Sequence, residues 1–154
     1  DGNIKVEFFT KGKGEPVYKV SYKGNTVIDT SVLGFDFSNN MSVKDELKII
    51  SSSTDSFTEE WEMPLCEKRI VDNTYNELTI NLKQDKTDFS FSLKFRIYDY
   101  GLGFRYDFPE QKEIKELIIL DENTTFKLTG DHKCWWIPGD WDIYEHLYNT
   151  TLFS

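Results

Sequence analysis

Apolar and polar residues alternate along most of this chain with a period of two. Phe89, Phe91, Leu93, Phe95 and Ile97 interleave with Ser90, Ser92, Lys94 and Arg96. This is the cleanest such run, and it predicts a long central strand with one buried face. Ile4, Val6 and Phe8 alternate with Lys5 and Glu7, and Leu78, Ile80 and Leu82 with Thr79, Asn81 and Lys83. Tyr18, Val20 and Tyr22 share a face of another strand. Shorter extended pieces fall at 26–29, 33–37, 47–51, 102–108, 114–120 and 125–128, with Pro109 ending one of them. Turn chemistry separates these runs: a Gly-rich stretch at 10–16, Lys23-Gly24-Asn25, residues 72–76, 84–87 and Asp99-Tyr100-Gly101. The polar run 51–56 reads as a loop following a strand. No segment longer than a turn or two carries a helical period. The pattern predicts an all-β fold, an antiparallel β-sandwich of many short strands.

One stretch departs from it. Cys134-Trp135-Trp136-Ile137-Pro138-Gly139-Asp140-Trp141-Asp142-Ile143-Tyr144-Glu145 sets three of the four tryptophans within seven positions, around a Pro-Gly turn. It reads as a loop shaped to present side chains. Trp135, Trp136 and Trp141 fit core plugs that close a sandwich rim, and they also fit platforms for sugar rings. Asp140, Asp142, Glu145 and His146 form the one grouping with metal-ligand chemistry. Hard carboxylate oxygens in an irregular loop suit Ca²⁺, although the spacing is not that of an EF-hand. The alternative is a solvated acidic loop. Glu60 and Glu62 flank Trp61 and share a strand face. Nothing nearby would separate their pKa values, so they read as a solvated face rather than a catalytic pair.

Composition narrows the function classes. The length of 154 residues suits one domain, 1–154, with a real core. Aromatics at 16% fit both a β-rich core and a carbohydrate protein. A net charge of −9 argues against nucleic-acid partners and against anionic membrane surfaces. No apolar run approaches a membrane span. Cys66 and Cys134 form no metal-site spacing, and they can be a pair in an exported protein or two free thiols. The chain opens on Asp1-Gly2-Asn3 without Met, so a removed leader or a trimmed segment is expected. There are two histidines, and no GxSxG, HExxH or phosphate-loop motif. Gly101-Leu102-Gly103 has no helix after it and reads as a hairpin turn.

With these residues in view, the chain resembles the amino-terminal region of glycoside hydrolase family 97, bacterial α-glucosidases and α-galactosidases of the starch-utilisation type. The resemblance rests on Asp1-Gly2-Asn3, Gly14-x-Pro16-x-Tyr18 with Tyr22, Leu33-Gly34 and Tyr75-Asn76-Glu77-Leu78. It continues through Gly101-Leu102-Gly103-Phe104-Arg105-Tyr106 with Phe108-Pro109, and Gly130-Asp131-His132 leading to Trp136-Ile137-Pro138-Gly139-Asp140. It implies a super-sandwich of the galactose-mutarotase kind, of which this chain is an incomplete portion. It implies a periplasmic or otherwise exported parent enzyme whose catalytic residues lie on a (β/α) barrel later in the chain, and none of them here. It also implies an active-site calcium with one ligand from the amino-terminal domain, matching Glu145. The function expected on this footing is a non-catalytic accessory domain that buttresses the barrel, with an α-linked oligosaccharide as the parent's substrate. A free-standing carbohydrate-binding sandwich is the rival. An incomplete sandwich would leave edge strands open, which predicts dimerisation or lowered stability.

Overall fold

A computed structural model describes residues 1–38, 41–65, 67–112, 114 and 116–153. In chain order the strands are β1 (Ile4–Lys11), β2 (Glu15–Tyr22), β3 (Asn25–Val32), β4 (Phe35–Phe37), β5 (Leu47–Phe57), β6 (Glu60–Glu62) and β7 (Ile70–Asp72). They continue as β8 (Tyr75–Gln84), β9 (Ser90–Tyr98), β10 (Gly101–Asp107), β11 (Ile119–Glu122), β12 (Lys127–Leu128), β13 (Lys133–Trp136) and β14 (Asn149–Leu152). Two four-stranded sheets, β1-β2-β3-β12 and β10-β9-β8-β5, form the body. Two-stranded ribbons β11-β4, β13-β14 and β6-β7 complete it. The strand pairs are antiparallel throughout. The chain is an all-β antiparallel sandwich, as the alternation predicts.

Burial follows the alternation. On β9, Phe91, Leu93 and Phe95 are buried while Ser92, Lys94 and Arg96 face outward. β9 lies between β8 and β10, so the cleanest periodic run is indeed an interior strand. Its apolar face meets Tyr18 and Val20 of β2, Phe35 and Phe37 of β4, and Ile80 and Leu82 of β8 in one core cluster. Phe95 joins the sheets, with ring centroids 6.4 Å from Phe8, 6.2 Å from Tyr18 and 5.5 Å from Phe104. Such tilted aromatic pairs add to the area they bury.

Among the described residues, buried side-chain polar atoms are satisfied. The Tyr18 hydroxyl donates to the Thr125 carbonyl at 2.9 Å, and the Tyr106 hydroxyl accepts from the Gly34 N–H at 2.9 Å. Desolvation pushes both phenols up to about 12. Gly14 sits at φ +89°, and a Cβ there would come within 2.5 Å of the Leu47 backbone. That close crossing brings the first hairpin against the start of β5, with the Leu47 N–H donating to the Gly14 carbonyl.

Several boundaries differ from the sequence reading. Residues 51–56 are not a loop: β5 runs through them to Phe57, paired with β8 from Ser51↔Asn81 to Phe57↔Tyr75. β5 is an edge strand with almost every residue exposed, so Ser and Thr are tolerated there without apolar alternation. β6 and β7 prolong the same hairpin. Glu60 and Glu62 lie exposed on β6, Glu62 paired to Arg69 at 2.6 Å, which is the solvated face expected. Of the strand expected at 114–120, residue 115 lies outside the described residues and the described strand is Ile119–Glu122, while the one expected at 125–128 shrinks to Lys127–Leu128. Gly101-Leu102-Gly103 is not a turn but the start of β10, and the turn is Asp99-Tyr100. Among the described residues, no helix is long and apolar enough to cross a membrane.

Candidate functional site

The tryptophan stretch is half strand and half loop. Residues 133–136 form β13, which pairs with β14 through Cys134↔Thr151, Trp135↔Thr150 and Trp136↔Asn149. The partner strand is supplied by Asn149-Thr150-Thr151-Leu152, a polar segment whose weak periodicity makes Trp135 and Trp136 look like loop residues from sequence alone. The Trp136 indole N–H donates to Thr151 Oγ at 3.1 Å and ties the two strands side by side.

Residues 137–148 connect them. Asp140 organises this connection: one carboxylate oxygen accepts from the Asp142 N–H at 3.2 Å, and the other lies 3.1 Å from His146 Nε2. The first contact is an Asx-type turn of the kind Asp adopts after a Pro-Gly corner. The second spans six residues and folds the connection back on itself. Neither contact was foreseen from spacing, because Asp140 and His146 fit no local periodicity.

The structure brings Asp140 and His146 together, and it leaves Glu145 apart. Glu145 is exposed and makes no hydrogen bond or ion pair with a described residue. Among the described residues, no group of three or more His, Cys, Asp or Glu converges as a metal cage would require. The described residues therefore offer hard oxygen donors for a cation but do not gather the six to eight or so that Ca²⁺ takes. Cys134 is a free thiol, and Cys66 lies outside the described residues.

The tryptophans are not core plugs. Trp135, Trp136 and Trp141 are 65%, 45% and 98% exposed. The core cluster, including the side chains packed on it, extends no further along the described chain than Leu117. β13 and β14 touch each other and make no extensive contact with any other strand. Tyr144, Leu147, Tyr148, Leu152 and Phe153 are exposed on the same ribbon and its connection. So much clustered apolar surface on one appendage marks an interaction face.

Comparison with known proteins gives this face its setting. The family model for the glycosyl-hydrolase 97 N-terminal region matches residues 1–154. The chain belongs to glycoside hydrolase family 97. Solved family 97 enzymes from Pseudoalteromonas sp. strain K8, one in complex with panose and one with acarbose, match it at 34% identity and TM-score 0.89. Those matches cover 98% of this chain and 23% of the enzymes. A β-arabinopyranosidase shares the fold at TM-score 0.76 and 24% identity, over 86% of this chain and 21% of that one. This chain thus spans less than a quarter of the length of the solved enzymes it matches, and its sandwich is the fold expected from the alternation of residues.

Proposed function

We propose that this chain is the non-catalytic amino-terminal accessory domain of a calcium-dependent α-glycoside hydrolase, exported from a bacterial cell. It buttresses the catalytic barrel and lends Glu145 to the active-site metal. The observation that carries this reading is the β13–β14 ribbon. It gives nothing to the core, displays its tryptophans to solvent, and carries an unpaired carboxylate at its connection. Clustered apolar surface of that composition marks a face that another body covers. In this reading that body is the (β/α) barrel that the family resemblance implies later in the parent chain.

Glu145 fits a calcium site as one ligand among several. Its oxygens are hard donors, and no neighbouring cation among the described residues competes for them. Asp140 and His146 hold the connection in shape, so Glu145 is presented by a braced segment rather than by a free tail. When bound, calcium would polarise and orient the sugar while carboxylates on the barrel carry out acid–base chemistry. The residues of this chain position one ligand and wall part of the site. The open edges of β5 and β10 support dimerisation of the isolated chain, since unpaired backbone groups on long edges invite pairing.

The test is Glu145→Gln in the full-length enzyme. The amide keeps the shape and removes the charge. Activity is expected to fall by about tenfold or more, as for loss of one charged ligand interaction, and calcium titration of the activity is expected to shift to higher concentration. Unchanged activity together with unchanged calcium dependence refutes the assignment.

A further inference from the structure

We propose that the outer face of the β9–β10 hairpin is a saccharide-binding trough, floored by Gly103 and walled by Tyr98, Arg96 and Arg105. The proposal rests on the glycoside hydrolase reading above and adds a second sugar contact away from the β13–β14 ribbon.

Tyr98, Arg96 and Lys94 lie on the face of β9 opposite the buried Leu93 and Phe95. Their partners on β10 are Gly101, Gly103 and Arg105. Two large side chains therefore face two positions that have none. A glycine inside a strand weakens it, through lost side-chain packing and extra unfolded-state freedom. Neither glycine is required by the backbone here, because neither has the positive φ seen at Gly12, Gly14 or Gly24. Neither is required by packing, since a Cβ added at either would meet no atom within 4 Å. What the glycines supply is room. Glycine is used inside strands where a ligand or another backbone must come close.

The room has matching chemistry around it. The trough has a volume of about 200 Å³. That is below the range of about 300–1,000 Å³ for pockets that enclose a whole drug-sized ligand, and it suits one ring of a longer chain. Tyr98 stacks on Tyr100 at 5.5 Å and 28°, and Tyr100 is 82% exposed, so this shelf keeps a free aromatic surface. Arg96 is braced by Glu77 at 2.7 Å, and Lys94 by Asp107 at 2.9 Å. Arg105 adds to the positive field that lowers the Asp107 carboxyl, but no carboxylate of a described residue lies within ion-pair distance of it, so no salt bridge takes up its N–H donors. A pyranose presents a C–H face and a rim of hydroxyls. The aromatic shelf suits the first and the fixed guanidinium donors the second.

The experiment uses the full-length enzyme in affinity electrophoresis, with soluble starch in one gel series and polygalacturonate in another. Hydrolysis of an α-linked disaccharide is measured in parallel. Gly103→Val fills the trough and Arg105→Ala removes the free donors. Each is expected to weaken polymer binding about tenfold, the order for one hydrogen bond from a charged donor, with kcat/KM on the disaccharide unchanged. Retardation by polygalacturonate alone, lost in the same variants, supports the trough with an acidic saccharide as its ligand. Retardation that is absent, or unchanged in both variants, overturns the trough while disaccharide hydrolysis keeps the enzyme reading intact. If Gly103→Val fails to fold, Arg105→Ala and Tyr100→Ala decide the matter. If Gly103→Val folds but loosens only the union with the downstream chain, a polypeptide fills the trough and the proposal falls.

Discussion

Phe95→Ala should be among the most damaging single changes in this domain, and Trp141→Ala among the least. Phe95 is fully buried and its ring lies within 6.4 Å of Phe8, Tyr18 and Phe104, one partner each from β1, β2 and β10. Truncation removes the ring and leaves a cavity between two sheets that cannot collapse onto it. Losses of that kind run to about 3–5 kcal/mol. The aromatic pair energies are already part of that figure and are not added again. At about 2–4 °C per kcal/mol for a domain of this size, Tm should fall by roughly 6–20 °C. Trp141 is 98% exposed and its removal should change stability by less than about 0.5 kcal/mol. The assay must be far-UV circular dichroism or calorimetry. Tryptophan fluorescence would mislead, because Trp61, Trp135, Trp136 and Trp141 all lie outside the core cluster. If Phe95→Ala does not fold, Phe95→Leu should fall between the two. A loss under about 1 kcal/mol for Phe95→Ala, or an equal loss for Trp141→Ala, would refute the view that the sandwich is held at β9 and that the ribbon is an appendage.

Gly14→Ala should cost about 2 kcal/mol or more, since positive φ and a 2.5 Å approach to the Leu47 backbone act together. A denaturant midpoint within error of the parent would contradict it. Alkaline stability should fall between the unfolded tyrosine value of about 10 and the folded value of about 12. The sign follows from the direction of the shift. Tyr18 and Tyr106 are raised on folding, so their contribution is complete below pH ~10 and is lost as pH climbs through ~12, by at most about 1.4 kcal/mol per unit for each ring. Urea midpoints against pH should show this slope, and Tyr106→Phe should flatten it. Iodide quenching of Trp141 should be strong in the isolated chain and weak in the full-length enzyme, and equal quenching in both would remove the ribbon from the barrel interface.

The fold was legible because its main strands each bury one face, and burial on one face writes a period of two into the sequence. β1, β2, β8, β9 and β10 were found in this way. The signal failed where that cause was missing. β5 is an exposed edge, so its Ser-Ser-Ser-Thr stretch obeys no alternation and is indistinguishable from a loop by pattern. β14 is exposed throughout, and with it the strand character of Trp135 and Trp136 was hidden. The Gly-x-Gly of β10 resembles a turn because glycine signals turns. Only the register showed those glycines facing Tyr98 and Arg96 across a strand pair.

The candidate site divides along the same line. Its sequence determined that aromatics and carboxylates cluster at 134–146, and the order of its motifs determined the family. Whether those tryptophans plug a core or face solvent was left to the tertiary structure. A core position depends on what lies across the sheet, and nothing in residues 134–146 encodes their distance from Phe95. The fold placed the cluster on a ribbon outside the core, joined Asp140 to His146, and left Glu145 alone. Composition sets which chemistry a segment can carry, but only the packing of distant strands sets what that segment can reach.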